Sequence, residues 1–149
     1  MEKCEKVAAL YVATLKAVSL IHQHGHWTTN GDNFYGSHLL FERLYKASLE
    51  SLDGAAEKFI GILGPACLDY KLQTELLNKI LNKYSRLEDS SAEMSLAAEK
   101  DFIKLGSDAY ECFEAEGHMT LGLDDFLMAT SSKSEEAVYL LQQTLEENS

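Results

Sequence analysis

Proline is nearly missing from this chain: Pro65 is the only one among 149 residues. Helix is therefore forbidden in very few places. Cysteine is scarce as well. Cys4, Cys67 and Cys112 are odd in number and widely spaced, so they make neither a disulfide framework nor a CxxC metal clip. That usage points to a reducing, cytoplasmic compartment, with Cys67 and Cys112 as small apolar core residues. No apolar run approaches the roughly 20 residues that span a bilayer. The opening MEKCEKVAAL lacks the basic-then-apolar order of a secretory signal. Positive charge is the last shortage: 13 Lys and Arg stand against 24 Asp and Glu, for a net charge of −11. Nucleic-acid affinity comes mostly from Lys and Arg displacing counterions from phosphates, so this balance argues against DNA. It favours solubility and the attraction of cations.

What is present is helical period. The length favours one domain, 1–149, and the 46% hydrophobic content suffices for a packed core. Val7, Leu10, Tyr11, Leu15, Val18 and Ile21 recur at helical spacing, and so do Phe41, Leu44, Tyr45, Leu52, Ala56, Phe59 and Leu63. Gly64-Pro65 stops the second segment. A shorter piece runs from Leu72 to Tyr84. A third long segment carries Met94, Ala98, Phe102, Leu105, Ala109 and Phe113, with Gly117 as its C-terminal cap. The last carries Leu123, Phe126, Leu127, Val138, Leu141 and Leu145, and its polar middle, Thr130 to Glu136, is expected to face solvent. The prediction is an all-α bundle of four long amphipathic helices, with a short extra helix between the second and third.

Chemistry concentrates in HGHWTTNGDNFYGSH, residues 24–38. The Asn30-Gly31 turn joins the first two helices as an αα-hairpin, with His26 and His38 on either side at similar height. On the second helix, with His38 as origin, Glu42 falls at about 40°, Asp53 at about 60° and Glu57 at about 100°. One imidazole and three carboxylates share a face, a donor set that suits iron or zinc more than calcium. A merely solvated polar face is the other reading of these angles. Asp53 lies 15 residues beyond His38, roughly 22 Å along a helix. One ion held by both therefore requires two second helices packed antiparallel about a two-fold axis. The ferritin-type E-x-x-H word precedes none of the five histidines, so a di-iron site inside one bundle has no support. His22, His24 and His26 do not converge on one ion. His22 reads as a neighbour of the site or an interface residue, His24 as partly exposed and His118 as a surface residue. Gly25, costing roughly 1 kcal/mol against Ala in a helix, reads as a place where a neighbouring chain comes close.

The run His26-Trp27, His38, Glu42, Asp53, Glu57, with its words HWTTNGDNFYGSH, FERLY and LDGAAEK, resembles the Dps family, the ferritin-like miniferritins named as DNA-binding proteins from starved cells. The final LDDFLMATSSKSEEAVYLLQQTL is similar as well. The resemblance implies a ferritin-like four-helix bundle, assembled from dimers into a twelve-subunit cage. It implies a ferroxidase that oxidises ferrous iron, with hydrogen peroxide as the preferred oxidant, and stores it as ferric mineral, limiting oxidative damage. His26, His38, Asp53 and Glu57 would be ligands shared across a dimer, with Glu42 accessory and zinc as a substitute metal. Trp27 would either supply an electron beside the site or anchor packing at the interface. Asp124 and Asp125 would line an iron-entry pore. A non-catalytic oligomer of the same fold, sequestering metal or associating with DNA, is the alternative. Three departures stand out. Only Lys3 and Lys6 are basic near the start, so no DNA binding of its own is expected. Lys58 replaces the arginine of an Ala-Glu-Arg word. Thr120 stands where an acid is common in the pore.

Overall fold

The computed structural model describes residues 1–84 and 89–147. Helix α1 spans Lys3–Thr28 and α2 spans Phe34–Leu63. A 3-10 turn, Pro65–Leu68, leads into the short α3, Tyr70–Tyr84. Helices α4, Ser91–Ala115, and α5, Leu121–Glu147, complete the bundle. Local chemistry sets the boundaries. Gly64, at φ 85°, takes a conformation that other residues avoid, and Pro65 then begins the 3-10 turn. Gly117, at φ 74°, closes α4. The Ser90 hydroxyl accepts from the Glu93 N–H at 3.2 Å, and Thr120 Oγ1 accepts from the Leu123 N–H at 3.0 Å. These are N-caps for α4 and α5.

Helix α1 is the central element, packed on α2, α3 and α4, while α5 closes against α4 and α2. Ala8, Ala9, Ala13 and Ala17 are buried, so neighbours approach α1 closely. Leu10, expected inside, lies at the exposed rim because the alanine-rich faces take the inward positions. The aromatic centre is Tyr11, set against Phe59 at 5.4 Å and Phe102 at 4.8 Å between centroids, with Phe59 stacked on Phe113.

Two readings of the sequence need correcting. The polar middle of α5 faces solvent only in part: Thr130 and Ser134 are buried, while Ser132, Lys133, Glu135 and Glu136 are exposed. The short side chains of Thr130 and Ser134 let α5 lie close to the bundle centre, where a cavity of about 30 Å³ is bordered by Ser48, Ser51, Glu99 and Thr130. His22, read as a neighbour of the site or an interface residue, is a fully buried core residue. Its Nε2 lies 2.8 Å from Glu99 Oε1 and its Nδ1 2.9 Å from Ser95 Oγ, tying α1 to α4.

Gln73 performs the equivalent task for α3. Its side-chain amide donates to the Ala9 and Cys67 carbonyls at 3.0 and 2.8 Å, and its oxygen accepts from Lys16 Nζ at 3.2 Å. Gln73→Leu leaves both carbonyls without that donor in a dry interface. Urea unfolding should report a loss of about 1–3 kcal/mol; an unchanged midpoint would show that α3 is held by its leucines alone. No helix among the described residues is long and apolar enough to cross a membrane.

Candidate metal centre

The Asn-Gly turn does what its residues predict. Thr29, in extended conformation, ends α1 and donates its N–H to the Gly25 carbonyl at 3.0 Å. Gly31, at φ 95°, reverses the chain, and α2 starts at Phe34. His26 and His38 thus face each other across the hairpin, with rings stacked at 3.8 Å and 18°. Phe34 stacks on the outer face of the pair, 5.0 Å from His38, and the edge of Tyr45 meets His26 at 5.4 Å.

Gly25 makes this closeness possible. A Cβ there would lie 2.8 Å from the Phe41 ring. The close approach inferred from the sequence is real, but it comes from α2 of the same chain rather than from a neighbouring chain.

The two imidazoles are held reciprocally. His26 Nδ1–H donates to the His38 carbonyl at 2.9 Å, and His38 Nδ1–H donates to the His26 carbonyl at 2.8 Å. A carbonyl only accepts, so the proton of each neutral ring is on Nδ1. Each Nε2 then keeps its lone pair, and neither has a hydrogen-bond partner among the described residues. Fixing a ligand imidazole through its other nitrogen is how proteins orient metal-binding histidines.

Glu42 sits beside the pair. The hydrogen bond from Lys46, 2.6 Å away, holds its carboxyl below the usual range, and the charge of Lys46 acts in the same direction, as would protonation of the nearby His26 and His38. Asp53 and Glu57 are exposed and unpaired among the described residues. Because α2 is unbroken, they lie about 22 and 28 Å beyond His38. Within one chain the structure joins His26, His38 and Glu42 and leaves Asp53 and Glu57 apart.

An apolar groove connects the two halves. One section, about 210 Å³, lies between Tyr45, Leu20 and Leu77; the next, about 320 Å³, ends at Asp53. Lys16, Leu49 and Leu52 border both. Leu20 and Leu49 are exposed on it. Burial against this surface lowers the Lys16 pKa.

Other expected residues fall elsewhere. Trp27 is 67% exposed. His24 is exposed, as expected. Asp125 is exposed, whereas half-buried Asp124 faces Tyr110 and its charge raises the tyrosine pKa. His118 is not a plain surface residue: it is half-buried, 3.6 Å from Glu2.

Neither the protein-family models nor the curated proteins contain a match to this sequence. Among solved structures, the chain is similar to Dps from Thermosynechococcus elongatus, with a TM-score of 0.81 and 19% identity over 95% of this chain and 89% of that one. The long hairpin, the short crossover helix and the last two helices therefore follow the Dps course, and the fold is the ferritin-like helical bundle of Dps.

Proposed function

We propose that this chain is a Dps-type miniferritin: a ferroxidase that binds ferrous iron as substrate, oxidises it and stores the ferric product. The observation that carries the reading is the reciprocal clamp of His26 and His38, which sets two lone pairs beside Glu42 at a solvent-accessible position. The remaining ligands are Asp53 and Glu57 of a second copy, bound antiparallel so that each groove is covered and two equal sites form. Two ferrous ions give one electron each to hydrogen peroxide; with two protons, two ferric ions and two waters result. The cluster of acidic side chains draws the cation and offsets the positive charge that builds up on oxidation. Trp27, next to His26 in sequence, is covered by the second copy or donates an electron. Dimers build a closed homo-oligomer of twelve subunits, with Asp125 in the entry pore. Zinc occupies the same ligands without redox chemistry. With a net charge of −11, the assembly does not bind DNA by itself.

The test is anaerobic ferrous loading followed by peroxide or air, read by ferric absorbance. His38→Ala and Asp53→Ala should each lower the initial rate at least about a hundredfold. Co-assembly of the two variants should restore part of it, because each mixed dimer carries one intact site and one doubly broken site. Native protein that is assembled yet oxidises no faster than buffer removes the enzyme and leaves a metal-sequestering relative.

A further inference from the structure

A second set of metal-ligating side chains lies at the opposite end of α1, about 33 Å from His26 by helical rise. Glu2 and Cys4 come from the start of α1, Cys112 from the last turn of α4, and His118 from the connection to α5. Ligand atoms of Glu2, Cys4 and His118 all lie within 4.8 Å of one another. Cys4 Sγ also lies 3.2 Å from Cys112 Sγ.

The backbone explains the convergence. Left-handed Gly117 turns the chain back, with the His118 N–H on the Phe113 carbonyl at 2.9 Å and the Gly117 N–H on the Glu114 carbonyl at 3.2 Å. This turn aims His118 at the α1 terminus instead of into solvent. Both sulfurs are buried, while the imidazole is half-buried and the carboxylate exposed. The cluster therefore has a dry sulfur floor and a polar, solvent-reachable cover.

Two thiols in contact are ordinary packing. An imidazole and a carboxylate turned onto the same sulfur are not. Two sulfurs, one nitrogen and one oxygen form the donor set of a tetrahedral, borderline-soft divalent ion. With zinc–sulfur bonds of about 2.3 Å and zinc–nitrogen or zinc–oxygen bonds of about 2.0 Å, tetrahedral edges are about 3.8 Å between sulfurs and about 3.3 Å between nitrogen and oxygen. The observed 3.2 and 3.6 Å edges need to move by roughly half an ångström, while Cys112 Sγ, which touches Cys4 but lies outside the 4.8 Å cluster of Glu2, Cys4 and His118, has to close further on the other two as the ion enters. Burial, with Cys112, Glu2 and Glu116 beside it, pushes the Cys4 thiol up to about 12, so the ion has to displace its proton on binding.

We propose that Glu2, Cys4, Cys112 and His118 bind one zinc-class divalent ion, which pins the first turn of α1 to the end of α4. Four protein ligands leave no open position, so the site is structural.

Cobalt(II) is the probe, because sulfur-to-cobalt charge-transfer absorption reports thiolate ligands and the proposed iron site contains no sulfur. Full-length protein, reduced and freed of metal, should develop this band to one equivalent per chain, and zinc should bleach it. Cys112→Ser should abolish the band. His118→Ala, a milder change at a helix end, should weaken cobalt binding at least about tenfold while circular dichroism stays native. The paired substitution His26→Ala and His38→Ala should leave the band intact, which separates this site from the ferroxidase. Absence of the band in reduced protein overturns the proposal. So does a band unaffected by both His118→Ala and Glu2→Gln, or a Cys4–Cys112 disulfide that forms in air despite excess zinc.

Discussion

Glu99→Leu should remove about 3–5 kcal/mol of stability, as much as truncating a buried core aromatic. Its carboxylate is buried, with Oε1 2.8 Å from His22 Nε2 and Oε2 without a partner among the described residues. Deleting the carboxylate leaves His22, which is wholly inside the bundle, with only Ser95. His22→Leu should do comparable damage by leaving Glu99 buried without its imidazole. The double variant behaves differently. With both polar groups replaced by leucine no orphan remains except Ser95, whose hydroxyl can turn to the carbonyl four residues earlier on α4. The double change should therefore cost much less than the sum of the singles, with an interaction free energy of about 2–3 kcal/mol in a chemical-denaturation cycle. Strictly additive losses would show that the two side chains do not support each other and that the contact is incidental to the packing.

That pair also marks the limit of what a linear reading reaches. Helix periods, the stop at Gly64-Pro65, the Gly117 cap and the short α3 are local, and they are legible because each rests on backbone preferences within a few residues. The fold was legible for the same reason, together with the resemblance of the hairpin words to Dps. His26 and His38 were legible because a tight turn brings flanking positions together. His22 and Glu99 are 77 residues apart, and their contact depends on which face of α1 meets α4. When α1 is buried on most of its circumference, periodicity no longer says which face that is. Cys4 and Cys112 meet for the same long-range reason, over 108 residues. The inward Thr130 and Ser134 escaped because small polar residues read as solvent-facing until a close helix approach explains them. For Asp53 and Glu57, the sequence and the single chain give the same answer: a straight helix keeps them far from His38.

Leu49→Arg is the change expected to abolish iron oxidation without touching a ligand. Leu49 is 46% exposed in the single chain, so arginine is accommodated there without disturbing the fold of one copy. It borders both sections of the groove that runs from Tyr45, against His26, to Asp53. If a second copy covers this groove, the arginine is buried opposite an apolar surface and near the cationic Lys16. A buried unpaired charge costs at least about 2 kcal/mol, and two-fold symmetry makes it enter twice, for about 4 kcal/mol or a roughly thousandfold weaker dimer. Native mass spectrometry should then show folded monomers, and ferrous oxidation should fall to the rate in buffer although His26, His38, Asp53 and Glu57 are all present. Raising the protein concentration should recover oxidation in proportion to the dimer, since activity follows association and not ligand identity. Folded monomers that oxidise iron at the native rate would sink the shared site and return the chemistry to the His26–His38–Glu42 half alone. An intact assembly with native activity would show that the second copy docks on a different face.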